Sequence, residues 1–187
     1  MGRTHEAALR GALAAVAKYG SRKATMGDIA LLAGIAKATL YNHFRTREDV
    51  YAAVAEAEVN AIAAAARAKL PEGFDVAVAQ AAQLIADHAA LRRVVTDDPA
   101  TLVLLATPGD GAAWTAARAQ VTVALTQAGY AATPAAVDVV LRYLTSQLLA
   151  PSSPAERTDA AALIMRAVSG QLTLPDSDPV GSADTSS

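Results

Sequence analysis

The chain has 187 residues, a formal net charge of −2 and no cysteine, which excludes a disulfide framework, a thiolate nucleophile and a Cys-ligated metal and agrees with a reducing compartment. Apolar residues make up 53% and aromatics only 4%, so a sizeable core has to be built from Ala, Leu, Val and Ile in closely packed helices, and an all-α fold is expected. No stretch reaches the ~18 uninterrupted apolar residues of a membrane span, and the apolar run after Arg10 stops at Lys18, too soon for a signal peptide; the expected location is the cytoplasm.

The first element carries Leu9, Ala12, Leu13, Val16 and Ala17 as an apolar stripe and ends near Tyr19, with Gly20 suited to its C-cap. Ser21, Arg22 and Lys23 fall in the loop that follows. A second, short helix starts at Thr25, whose hydroxyl and the carboxylate of Asp28 stand at capping-box spacing, and stops at Gly34, which supplies the backbone freedom of a tight corner. The third runs roughly from Ala36 to His43 and has two faces. Ile35, Leu40 and Phe44 point inward, while Lys37, Ala38, Thr39, Tyr41, Asn42 and His43 point outward. A cation, a hydroxyl, a phenol, an amide and an imidazole on one face suit phosphate oxygens and base edges, and the small Ala36 and Ala38 allow a groove wall to approach.

Thr46 and Asp49 repeat the capping-box spacing, and no breaker interrupts the pattern from Glu48 to Lys69, so a long helix is expected until Pro71-Glu72-Gly73. Charge divides the chain near the same point. Residues 1–47 hold eight Lys or Arg against Glu6 and Asp28, a balance of +6; residues 48–187 hold eight against sixteen acids, a balance of −8. A basic head on an acidic body fits phosphate neutralisation by the head, the alternative being a merely solvated basic surface.

The stretch Thr25-x-x-Asp28-Ile29-Ala30 … Ala33-Gly34-Ile35-x-Lys37-x-Thr39-Leu40-Tyr41-x-His43-Phe44-x-x-Arg47-Glu48 resembles the DNA-binding segment of the TetR family of bacterial repressors, and the pattern extends from about Leu9 to Val54. Ala36 stands where a serine is common, Ala38 where a glycine is common and Arg47 where lysine is frequent. The resemblance implies a helix-turn-helix head at 1–47 and a helical ligand-binding and dimerisation body at 48–174, about nine helices in all. DNA contacts are then expected from Thr25, Lys37, Ala38, Thr39, Tyr41, Asn42, His43 and Arg47.

From Phe74 to Leu174 helical stretches are punctuated by Asp98-Pro99, Pro108-Gly109-Asp110-Gly111, Gly129, Thr133-Pro134, Pro151-Ser152-Ser153-Pro154 and Gly170, which gives five further helices. Thr133 with Pro134, and Ser153 with Pro154 and Glu156, mark two starts. The last two helices, about Pro134–Leu149 and Pro154–Leu172, carry wide apolar stripes that include Val137, Leu141, Leu144 and Leu148 on one and Ile164 and Val168 on the other. In the resembled family such helices pair with their symmetry mates, so these six residues are expected at a homodimer interface; the alternative is that both stripes are satisfied within one chain. The tail 175–187, rich in Asp, Ser, Gly and Pro, is expected to be disordered.

Catalytic signatures are lacking in the sequence. His5, His43 and His88 show no HExxH spacing, nothing matches GxSxG or a Walker loop, and Trp114 stands where a dinucleotide fingerprint starting at Gly109 needs glycine. No enzyme activity, cofactor or metal is expected. The resemblance implies a small-molecule site in the body, for which the candidates are Trp114 and Arg118 on one helical face, Tyr143 and Gln147 on another, and His88 at the close of a third. The expected function is that of a repressor binding a palindromic operator as a homodimer and released by a small apolar or amphipathic effector. The alternative is an all-α ligand-binding or scaffold protein that keeps the head without specific DNA affinity.

Overall fold

The computed structural model describes residues 2–98 and 107–170. Among them are nine α-helices: α1 (Arg3–Tyr19), α2 (Met26–Ala33), α3 (Lys37–His43), α4 (Arg47–Arg67), α5 (Phe74–Ala86), α6 (Ala89–Asp97), α7 (Ala112–Gln127), α8 (Pro134–Leu149) and α9 (Pro154–Val168), with a 3-10 turn at Leu70–Glu72 and no strand. The helix expected between Asp98 and Pro108 and the tail from Pro175 lie outside the described residues. None of the described helices is long and apolar enough to cross a membrane.

The helix starts follow local chemistry. Thr25, Thr46 and Ser153 each form a complete capping box with the acid three residues on, and Thr133 accepts the N–H of Ala136. The Thr25 hydroxyl and backbone N–H hold the Asp28 carboxyl below its usual range, and the Ser153 backbone and hydroxyl do the same for Glu156. Because both folded-state pKa values are depressed, the stabilisation is present above the ordinary carboxylate range and is lost as the pH falls through the lowered values. Between α2 and α3, Gly34 takes a left-handed conformation at φ 66°, and its N–H returns to the carbonyls of Ala30 and Leu31.

Two cores result. In the head, Ala8, Leu9, Ala12 and Ala15 of α1 pack on Ile29 and Ala30 of α2, on Leu40 and Phe44 of and after α3, and on Val50 of α4. Small residues set the spacing of α1 and α2: a Cβ on Gly11 would stand 2.6 Å from both the Ala33 Cβ and the Ile29 carbonyl oxygen. In the body, Phe74 and Val78 of α5, Val121 and Leu125 of α7, Val137, Val140 and Leu141 of α8 and Ala161 and Ile164 of α9 form the second core. Helix α4 belongs to both ends, with Val50 fully buried in the head and later turns packed along α5 and α7.

Burial divides the residues expected at a dimer interface. Val137 (7% exposed), Leu141 (5%) and Ile164 (9%) are enclosed by the body core of their own chain and present almost no area to a partner. Leu144, Leu148 and Val168 are partly buried. The large apolar side chains that α8 and α9 leave outward are Val139, Leu149 and Leu163.

Because the obstacles beside Gly11 include backbone atoms, Gly11→Ala forces α1 and α2 apart despite the better helix propensity of alanine. It is expected to lower head stability by about 1–3 kcal/mol, measured as an earlier midpoint in urea unfolding followed by far-UV circular dichroism.

Candidate functional site

The outward face of α3 is built by what is turned inward. Leu40 is fully buried and Phe44 nearly so, which fixes the roll of this seven-residue helix and leaves Lys37, Ala38, Tyr41, Asn42 and His43 exposed and Thr39 half-exposed. The Lys37 ammonium lies 5.9 Å from the centre of the Tyr41 ring, a cation–π arrangement that pre-orders both side chains on the exposed face. His43 meets His5 of α1 edge to face at 6.3 Å between ring centres, and His5 stacks at 5.1 Å on Phe44, so the end of α3 is braced by the start of α1.

Thr25 and Arg47 are occupied within the protein. The exposed Thr25 hydroxyl serves the capping box of α2, accepting the Asp28 N–H at 3.2 Å. Arg47 donates from Nη1 to the carbonyls of Arg22 and Ala24, both at 3.2 Å, and pairs with Glu48 at 3.1 Å. It therefore clamps the start of α4 to the loop before α2. The exposed cations flanking α3 are Arg22 and Lys23 in that loop and Arg45 just after the helix.

The body contains a cavity of about 630 Å³. One continuous face of α4, from Tyr51 through Ala55, Glu58, Ile62 and Ala66 to Arg67, forms its long wall. Sixteen residues of helix rise make that wall about 24 Å long. The remaining walls are apolar for the most part: Phe74, Val78 and Ala81 of α5, Leu91 and Val94 of α6, Trp114, Ala117 and Val121 of α7, and Leu141, Leu144 and Leu148 of α8.

Two of the five expected ligand residues, His88 and Trp114, line this cavity. Arg118 is exposed and outside it, since four residues of helix carry it past the wall that Trp114 faces. Tyr143 donates its hydroxyl to the Arg157 carbonyl at 3.3 Å, and Gln147, 2% exposed, accepts the N–H and hydroxyl of Ser152 at 3.0 Å each; both hold the α8–α9 connection and neither lines the cavity.

Apart from His88, the polar groups of the cavity wall were not marked by the sequence pattern. Glu58 Oε2 pairs with His88 Nε2 at 2.7 Å, while His88 Nδ1 accepts the Leu91 N–H at 3.3 Å and so caps α6. Near the far end Gln120 donates to Asn60 at 2.7 Å and accepts from Arg67. The spacing of Glu58, Ile62 and Arg67 on one helix was visible, but α6 and α7 bring their partners from 30 and 53 residues away.

At its head end the cavity reaches a hydrogen-bonded seam. Ser21 in the α1–α2 loop donates to Asp98 at the end of α6 at 2.9 Å, and Tyr51 of α4 donates to the Ser21 carbonyl at 3.1 Å. Burial raises the Tyr51 phenol above its usual range, which keeps it a donor at neutral pH.

Residues 8–54 match the family model of the bacterial regulatory proteins, tetR family. The whole fold resembles the TetR family repressor AlkX from Dietzia sp. strain DQ12-45-1b, implicated in biodegradation of n-alkanes, with a TM-score of 0.70 and 21% identity over 91% of this chain and 96% of that one. Residues 8–54 thus match the tetR family of bacterial regulatory proteins, and the chain as a whole shares the fold of the repressor it resembles. The fold is similar also to that of the fatty acid degradation regulator FadR from Bacillus halodurans (TM-score 0.58, 18% identity, 88% of this chain and 96% of that one). A protein ascribed to the TetR family of transcriptional regulators from Mesorhizobium loti MAFF303099 is similar too (TM-score 0.60, 18% identity, 90% and 96%). At these identities the likeness establishes the TetR fold. Comparison with curated proteins finds no match.

If the α3 face reads base edges, Tyr41→Ala or Asn42→Ala is expected to weaken specific DNA binding by about 1–3 kcal/mol, with relaxed sequence preference. Lys37→Ala should instead weaken all sequences alike and flatten the salt dependence. Fluorescence anisotropy on labelled duplexes at several salt concentrations separates the two, and unchanged affinity in a folded Tyr41→Ala, Asn42→Ala double variant would show that this face reads nothing.

Proposed function

We propose that the chain is a transcriptional repressor that binds a palindromic operator as a homodimer and is released when a small apolar or amphipathic effector enters the body cavity. The observation that carries this reading is the course of α4, whose first turn is anchored in the head core behind the reading helix and whose later turns wall the cavity. Support for an aliphatic effector comes from the apolar lining and from the relatives named for alkane and fatty acid degradation.

The DNA contacts are assigned to Lys37, Ala38, Thr39, Tyr41, Asn42 and His43, with Arg47 and Thr25 shaping the face from behind through the bonds already described. The partner surface is assigned to the outward stripes of α8 and α9, on which Val139, Leu149 and Leu163 are 44%, 55% and 51% exposed. A dimer is what a palindrome requires, since two reading helices must enter the major groove about 34–36 Å apart or at a multiple of that spacing.

Release proceeds through the position of the heads and leaves the DNA face itself uncovered. A ligand between α4 and α6 shifts the two helices whose ends meet at Ser21, Tyr51 and Asp98, and a displacement of a few ångströms misaligns one half-site. By linkage, an effector that lowers operator affinity a hundredfold binds the DNA-free dimer a hundredfold more tightly, a coupling of about 2.7 kcal/mol.

Gel shift against the upstream region of its own gene tests the DNA reading, and absence of any salt-dependent, sequence-selective shift favours the alternative of a ligand-binding protein with an idle head. Leu163→Arg is expected to give a folded monomer by light scattering with weakened operator binding. A dimer that persists in both Leu163→Arg and Val139→Arg would place the interface elsewhere.

A further inference from the structure

The Glu58–His88 pair gives the cavity a definite electrical character. With His88 Nδ1 accepting the Leu91 N–H, the proton of the uncharged ring sits on Nε2 and points at Glu58. A second proton on Nδ1 would set donor against donor and undo the cap of α6. In this arrangement the pair carries the single negative charge of the carboxylate, and Glu58 Oε1 receives no hydrogen bond from the described residues.

The cations of the lining do not answer that charge. Arg67 is bonded to Gln120 and lies nine residues, about 13 Å, further along α4. Arg47 is taken by Glu48 and two backbone carbonyls at the head end, and Arg22 stands there too. Between these ends the lining is mostly aliphatic and aromatic, with Thr145 and Gln120 as neutral polar exceptions, and there a carboxylate whose partner is uncharged is costly and a second negative charge more so.

We propose that the cavity takes a cationic amphiphile, a protonated amine on an unbranched aliphatic chain, with its head paired to Glu58 and its tail among Ile62, Phe74, Val78, Trp114, Val121 and Leu144. The assignment rests on the reading of the cavity as the effector site and adds the head-group class to it. The stretch from Glu58 to Arg67 matches a tail of about a dozen bonds, taking about 1.2 Å per bond from the extended reach of a polypeptide. A carboxylate of the same length meets repulsion at the same point, and an alcohol gains no ion pair.

Three ligands that share one chain and differ only in the head test this: dodecylamine, dodecanol and dodecanoate, each below its aggregation limit at neutral pH. Trp114 is the single tryptophan and lines the cavity, so its fluorescence reports occupancy, with calorimetry as the second readout. The amine is expected to bind at least tenfold more tightly than either of the others. Glu58→Gln is expected to remove that preference while leaving dodecanol binding, and hence the fold of the cavity, unchanged.

Dodecanoate or dodecanol binding as tightly as the amine to the unaltered chain overturns the head-group assignment while the cavity keeps its role. A preference that survives Glu58→Gln overturns the role of Glu58. If none of the three disturbs Trp114 or releases heat, the effector cavity falls together with its proposed ligand. The three-ligand comparison on the unaltered chain is decisive even where the variant fails to fold.

Discussion

Helix α4 is the constraint on which the rest of this molecule depends. Its capping box at Thr46 and Asp49 fixes where it starts, and Val50, fully buried among α1, α2 and α3, fixes how it leaves the head. From there a stiff rod of 21 residues carries one face past α5, α6 and α7. A helix of this length transmits tilt because its backbone bonds are all made internally and bending it costs those bonds. The head therefore takes its orientation from whatever sets the later turns of α4.

A second attachment makes that orientation conditional. The end of α6 reaches the α1–α2 loop through Ser21 and Asp98, and Tyr51 ties the same loop to α4. Helix α6 itself begins at His88, whose ring caps its first turn and also meets Glu58 on α4. The two helices that hold the head from below thus share a polar contact on the wall of a largely apolar cavity. A molecule placed there touches the coupling between them directly, whereas a molecule held only by apolar packing would act through bulk alone.

The alanine-rich composition serves the same geometry. Where α1 crosses α2, Gly11 and Ala33 bring backbones together so closely that no further methyl fits, and Ala8, Ala12 and Ala15 are fully buried beside them. The head is small and tightly packed as a consequence. The body, built from longer side chains at its α5, α7, α8 and α9 core, leaves open space along α4, where Ala52, Ala55, Ala63 and Ala66 line the wall. Tight packing is concentrated in the head and open space in the body.

The sequence by itself determined what short-range chemistry decides. Capping boxes at Thr25, Thr46 and Ser153, the left-handed corner at Gly34, the inward Leu40 and Phe44 and the outward face between them all depend on groups within four residues of each other, and each was legible. The charge division between head and body was legible for the same reason, being a property of composition. Only the tertiary structure decided which surface each apolar stripe of α8 and α9 covers. Periodicity marks a stripe without saying whether it meets its own core or a second chain, and Val137, Leu141 and Ile164 proved to meet their own. It likewise decided that Gln147 and Tyr143 hold a loop and Arg47 a clamp, and that Glu58 and Gln120 belong to the cavity. Those roles come from partners brought close by folding, and a polar side chain carries no local mark of the distant group that will satisfy it.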